Sequence, residues 1–127
     1  MKQIVTNTIL EYFSGFAHKD VEKVMSNLSG DVVLTDWVGT WKGEKDVKEA
    51  IQSIFDNVTS ITIVPTYILV NENSLSDGLS QIVKATCLID ILIKADDEQL
   101  TIKAVDIITL RSNGSPWLII DINIYKQ

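Results

Sequence analysis

The sequence predicts a single α+β domain, residues 1–127, in which three N-terminal helices pack on a curved antiparallel sheet and enclose a pocket. Three observations predict it. Apolar residues recur at helical spacing in the first half of the chain and in alternation through most of the second. The strands of the second half exceed the ordinary ~3–10 residues, so they must bend to stay compact. A length of 127 residues is that of one domain with one core.

From Ile4 to Phe16 the apolar positions Val5, Ile9, Tyr12, Phe13 and Phe16 form a helical stripe, with Asn7, Glu11 and Ser14 on the other face. A shorter helix starts at Asp20, an N-cap residue type, and runs through Val21, Val24, Met25 and Leu28 to a stop at Ser29-Gly30. Period-two alternation begins after Asp31: Val32, Leu34, Asp36 and Val38 share one side, and Val33, Thr35 and Trp37 the other. Gly39 to Gly43 reads as a loop. It leads into a third helix, Glu44 to Asn57, with Val47, Ala50, Ile51, Ile54 and Phe55 on its buried stripe.

The rest is strand and turn. Ile61 to Val70 carries Pro65, which predicts an edge position or a bulge. Asn71 to Gly78 is turn-rich, and Leu79 to Lys94 is an unusually long strand. Asp96-Asp97-Glu98 makes a charged hairpin tip before the strand Gln99 to Arg111, and a turn from Ser112 to Pro116 precedes the last strand, Trp117 to Tyr125.

Composition narrows the function classes. The formal charge of −6 and the lack of a basic stripe argue against nucleic acid as a partner. No N-terminal apolar stretch reads as a signal peptide and no run approaches ~18 apolar residues, so a cytoplasmic protein without a membrane partner is expected. The single cysteine, Cys87, cannot form an internal disulfide and reads as a buried, inert thiol. One histidine and one cysteine make no metal-ligand cluster, and no glycine-rich phosphate loop follows a strand. Neither a cofactor nor a metal is expected.

Polar residues on faces that should be apolar carry the functional signal, because an unpaired buried carboxylate costs several kcal/mol. Tyr12 lies on the first helix's apolar stripe, Asp36 shares its side with Val32 and Leu34, and Asp106 shares its side with Ile102, Ala104, Ile108 and Leu110. Each also has a structural reading: Tyr12 as core packing, Asp36 as a turn cap, Asp106 as a satisfied core polar group. Asp90 and Asp121 fall on the opposite parity, as do Lys103 and Arg111, and are expected on the outer face.

The segment from Asp31 through Thr35-Asp36-Trp37 to Gly39, continuing to Lys42-Gly43 and a helix, resembles ketosteroid isomerases and the wider NTF2-like or SnoaL-like superfamily, whose element order agrees along the chain. The resemblance implies a cystatin-like cone. It places Tyr12 on the family's oxyanion tyrosine, Asp36 on its general base and Asp106 on its protonated oxyanion aspartic acid. It also implies a small hydrophobic carbonyl-containing ligand, and a homodimer through an outer sheet face presenting Val105, Ile107, Asp121, Asn123 and Tyr125. This chain has Trp37 where ketosteroid isomerases tend to carry proline, and Ile51 where some carry a supporting tyrosine.

The expected reaction is enolisation or double-bond shift: Asp36 removes a proton α to a carbonyl while Tyr12 and Asp106 donate to the enolate oxygen. Two alternatives stand beside it, a non-catalytic small-molecule-binding or dimerisation module, and a SnoaL-like cyclase that needs Asp36 alone. Dehydratase-like members rely on a pocket histidine, and epoxide-hydrolase-like members on an Asp-Arg-Asp set. His18 is expected to be solvated and Arg111 to face outward.

Overall fold

Helix α1 (Lys2–Ala17) forms along the stripe read from the sequence, and buries Val5, Ile9, Tyr12, Phe13, Gly15 and Phe16. The computed structural model describes residues 1–71, 75–76, 80–114 and 116–127. Helix α2 (Val21–Met25) opens with the Asp20 carboxylate accepting from the Lys23 backbone N–H at 3.1 Å, the expected cap. Helix α3 (Glu44–Asn57) follows Gly43, whose φ of 87° lies in the left-handed region that glycine adopts without penalty. Its core side is Val47, Ile51 and Phe55.

The strands are β1 (Leu28–Thr35), β2 (Thr40–Lys42), β3 (Ser60–Val70), β4 (Leu75–Ser76), β5 (Gln81–Ala95), β6 (Glu98–Ser112) and β7 (Trp117–Lys126). They form one sheet in the order β2-β1-β7-β6-β5-β3, with β4 also paired to β5. The 15-residue strands β5 and β6 run in unbroken register from Gln81 against Ser112 to Ala95 against Glu98, closing on Asp96 and Asp97. Pro65 marks both an edge and a bulge: β3 is the edge strand and its register shifts between Pro65 and Tyr67. A second irregularity lies between Thr109 and Leu110 on β6. Such bulges sharpen local twist and bend.

Four expectations are corrected. The second helix ends at Met25, because the Asn27 carbonyl accepts from the Ile119 N–H at 2.9 Å and Leu28 already pairs with β7; inter-strand pairing overrides helical spacing at Leu28 and the supposed stop at Ser29-Gly30. The loop from Gly39 to Gly43 contains β2, an antiparallel partner of β1. The sheet is mixed and not wholly antiparallel, since β1 and β7 run parallel. Strand β1 stops at Thr35, so Asp36 and Val38 leave the alternation that placed them with Leu34, and Val38 is 76% exposed. Most of the predicted turn from Asn71 to Gly78, and Leu79 at the start of the next predicted strand, lie outside the described residues.

No helix among the described residues is long and apolar enough to cross a membrane. The outer sheet face carries the Lys103–Asp90 ion pair at 3.1 Å, between cross-strand neighbours as parity required. Arg111 is half-buried against Asp31 and Ser29, its Nη2 donating to Ser29 Oγ and to Asp31 Oδ1 at 3.2 Å each. The hydrogen bond from Ser29 holds the Asp31 carboxyl below its ordinary value; burial opposes this, and the charge and hydrogen bonds of Arg111 add to it.

Gly15 is where α1 and α2 touch most closely. A methyl group there would lie 2.5 Å from Val24 Cγ2 and 2.9 Å from the Val24 nitrogen, and the backbone atom cannot rotate away. Gly15→Ala gains up to about 1 kcal/mol of helix propensity and loses about 1–3 kcal/mol to overpacking. A net destabilisation is expected, read as a lower denaturant midpoint at unchanged slope; an unchanged or raised midpoint would show that α2 yields at this contact.

Candidate active site

The concave sheet and the helices enclose a cavity of about 590 Å³, within the ~300–1,000 Å³ usual for small-molecule pockets. Its wall is rich in isoleucine: Ile51 and Ile54 come from α3, Ile61 and Ile63 from β3, and Ile89 and Ile91 from β5. Tyr12, Asp36 and Asp106 all line it.

Tyr12 is delivered by α1 and is 1% exposed. Its ring meets Phe16 edge-on at 5.3 Å and 84°, and Phe16 meets Phe55 of α3 in the same way at 5.6 Å and 82°. This aromatic ladder fixes the first helix against the third and fixes the phenol's position. Burial holds its pKa well above 10.0, with the neighbouring Asp106 and Cys87 adding in that order, so the phenol keeps its proton as a donor.

Asp106 sits mid-strand on β6, between Ala104 and Ile108 along the chain and beside Cys87 and Ile124 across it. It is 1% exposed, and its Oδ1 is buried without a hydrogen-bond partner among the described residues. Burial alone pushes its pKa from 3.8 up to about 7. Loss of water raises a carboxyl in this way because the charged form suffers most. Cys87 is pushed up to about 12 by burial and, second, by Asp106, so it stays a protonated thiol at neutral pH. Among the described residues no hydrogen bond joins the Tyr12 hydroxyl to the Asp106 carboxyl.

Asp36 reaches the cavity from a turn and not from a strand face. Its Oδ1 accepts from the backbone N–H groups of Val38 at 2.7 Å and Gly39 at 3.1 Å, while its own N–H donates to the Gly39 carbonyl at 3.0 Å. Oδ2 has no protein partner among the described residues. The turn therefore both caps itself and orients a carboxylate. Trp37, 46% exposed, lies under the Lys126 ammonium at 5.5 Å from its ring centre.

Sequence reasoning passed over Asp46 and Glu49. They line the cavity from α3 together with Ala50 and Ser53, at helical spacings of three and four that form a second stripe beside the core-facing Val47 and Ile51. The spacing was the available signal. Trp37 and Trp41 also line the cavity.

The residues other chemistries would require lie elsewhere. His18 is exposed at the end of α1, with its Nδ1 2.9 Å from the Ser14 carbonyl, and the described cavity lining contains neither histidine nor arginine. Among the described residues no group of three or more His, Cys, Asp or Glu side chains could hold a metal ion.

Comparison with known proteins fits this architecture. A hexachlorocyclohexane dehydrochlorinase from Novosphingobium barchaimii superposes with a TM-score of 0.85 at 13% identity, over 99% of this chain and 86% of that one. A proposed dehydratase of the NTF2-like family from Streptomyces avermitilis gives 0.80 at 15%, over 98% and 94%. An NTF2-like protein with a cystatin-like fold from Novosphingobium aromaticivorans gives 0.77 at 12%, over 98% and 80%. At these identities the likeness is one of fold, which is the NTF2-like, cystatin-like cone. No curated protein matches the chain in sequence. The profile of the SnoaL-like domain matches residues 5–123, and the chain belongs to that family.

Proposed function

We propose that the cavity carries out ketosteroid-isomerase-like proton transfer on a small hydrophobic carbonyl compound. One observation carries this reading: a buried carboxyl, Asp106, whose Oδ1 has no partner, shares an apolar cavity with a buried phenol and with a carboxylate held on a turn. A donor without an acceptor in such a place is set up to be completed by a ligand oxygen.

In this mechanism Asp36 takes the proton α to the carbonyl. The C–H electron pair becomes the C=C bond of the enolate, and the carbonyl oxygen takes up the negative charge. Tyr12 and the protonated Asp106 donate hydrogen bonds to that oxygen. Asp36 then returns the same proton to the γ carbon, the double bond shifts, and nothing is oxidised or reduced. A carboxylic acid kept neutral by its apolar site is the device ketosteroid isomerases use. A positioned base contributes about 10²–10⁴ in rate and each donor to the oxyanion about 10²–10³.

The turn bonds of Asp36 favour a second reading, a binding module in which this residue only shapes the loop. Asp36→Asn separates the two. Enolisation of a β,γ-unsaturated ketone, followed by absorbance of the conjugated product, should fall by about 10²–10⁴ while ketone affinity holds within a few-fold. Turnover unchanged from the parent protein would remove Asp36 from the chemistry.

The titration of Asp106 gives a pH test. Between its ordinary 3.8 and about 7 the unfolded chain is ionised while the folded chain holds the proton. Stability from this group is therefore fully present below 3.8, and is lost as pH rises to about 7, by roughly 4 kcal/mol at about 1.4 kcal/mol per pH unit. Asp106→Asn should flatten that fall. It should also remove the alkaline loss of kcat/KM near pH 7, because the amide donates at every pH. An alkaline limb retained in Asp106→Asn would assign it to another group.

We also propose a homodimer through the outer sheet face. Tyr67, Leu88, Val105 and Tyr125 stand in one row across four strands in register, and three of them are 43–56% exposed. A two-fold axis through such a row makes it self-complementary. Leu88→Lys with Val105→Lys should sediment as a monomer where the parent sediments as a dimer; a parent that is monomeric at high concentration would discard the interface.

A further inference from the structure

The acidic and basic residue types that line the cavity are all acidic. Its lining contains the carboxyl groups of Asp36, Asp46, Glu49 and Asp106, and no lysine, arginine or histidine among the described residues. Asp46 and Glu49 are exposed on α3 and take part in none of the ion pairs formed among the described residues, where Lys48 of the same helix pairs instead with Glu22 at 2.7 Å. Lys126 lies over the Trp37 ring and lines an adjoining groove of about 310 Å³ that shares Asp36, Trp37 and Ile124 with the cavity. The floor supplies the independent sign that a ligand is received here, Asp106, 1% exposed and with Oδ1 unpartnered.

From this arrangement we infer that the cavity selects its ligands by charge: it takes apolar molecules whose polar end is neutral or cationic, a protonated amine at the mouth included, and it excludes carboxylates, sulfonates and phosphates. The inference rests on the cavity being the ligand site named above and adds the substrate class. An anion pushed to the floor would lose its water against isoleucine walls with no cation to replace it. An anion held at the mouth would face Asp36, Asp46 and Glu49. The formal charge of −6 acts in the same direction at longer range. A neutral carbonyl meets none of these penalties, and an ammonium group at the mouth is attracted while its apolar body fills the cavity.

A matched set of naphthalene ligands tests this without reference to turnover: 2-acetonaphthone is neutral, 2-naphthoate anionic and 2-naphthylmethylamine cationic at neutral pH. Binding is read by calorimetry or by quenching of tryptophan fluorescence, since Trp37 and Trp41 line the cavity. The anion should bind about tenfold or more weakly than the ketone, and the amine at least as tightly as the ketone. The part of this gap due to the exposed rim should shrink in about 1 M salt, where the Debye length is ~3 Å. Asp46→Asn with Glu49→Lys, both at exposed positions, should raise naphthoate affinity several-fold and lower that of the amine. Equal or tighter binding of naphthoate by the parent protein overturns the inference, as does a rim variant that leaves all three affinities unchanged or a parent protein that binds none of the set. Turnover of the β,γ-unsaturated ketone is measured alongside. Charge selection without turnover supports the inference and removes the enolisation reading, and turnover without charge selection does the reverse.

Discussion

A straight antiparallel pair of 15-residue strands would be about 50 Å long, whereas the 16-residue α1 that covers it spans about 24 Å. Half of the inner face would lie bare. That mismatch is the constraint on which the rest of the structure depends. The sheet answers it by bending, with irregularities at Pro65/Tyr67 and Thr109/Leu110, so that one concave surface faces α1 and α3 together. Bending covers the apolar face without filling it: α1 and α3 meet over the Tyr12–Phe16–Phe55 ladder, and the cavity opens beside it, walled in part by Tyr12 and Phe16. The cavity is a consequence of curvature.

Within that hollow the polar groups arrive by three local devices, each with its own electrostatic result. Tyr12 rides on a helix stripe and is buried at the cavity wall. Asp106 is fixed by strand register among Ala104, Ile108, Cys87 and Ile124, where nothing among the described residues satisfies its Oδ1. Asp36 stands on a turn whose backbone N–H groups accommodate a carboxylate. Burial drives the first two toward their protonated forms while the third is hydrogen-bonded as an acceptor. Two carboxyl groups on one cavity are thus given different environments, the condition for one to act as acid and the other as base. Keeping Asp106 buried costs stability at neutral pH, the direction expected where a fold gives up stability for function.

The sequence was most legible where local chemistry and tertiary packing agree. α3 begins at Glu44 and ends at Asn57 as read, because a glycine with φ of 87° precedes it and its stripe keeps helical period throughout. Asp106 was legible because a long strand in unbroken register preserves parity from one end to the other. Parity misled at Asp36. The strand ends one residue earlier, and the carboxylate reaches the cavity by a turn, so the residue was found through a geometry it does not have. The boundary at Leu28 was hidden because its helical spacing from Val24 competes with pairing to β7, which lies more than ninety residues away in the chain. Asp46 escaped notice because an acidic residue in a first turn is ordinary helix chemistry, and Glu49 because an exposed glutamate beside the apolar stripe reads as a solvated face; only the tertiary placement of α3 turns that stripe toward a cavity.

The acidic lining is compatible with the raised pKa that burial gives Asp106. An arginine or lysine placed near Asp106 would favour its carboxylate and convert a hydrogen-bond donor into an acceptor. Among the described residues Arg111 pairs with Asp31 and Ser29, Lys103 with Asp90, and Lys126 lies over the Trp37 ring, and none of the three lines the cavity. The same exclusion that preserves the acid denies an anionic ligand its counter-charge. It also sets a limit on cationic ligands: an ammonium group carried to the floor would itself draw Asp106 toward ionisation, by linkage between the two charges. A cation is therefore compatible with a protonated Asp106 only at the mouth, beside Asp36, Asp46 and Glu49, with the neutral part of the molecule directed inward to Tyr12 and Asp106. The distribution of charge orients the ligand as well as selecting it.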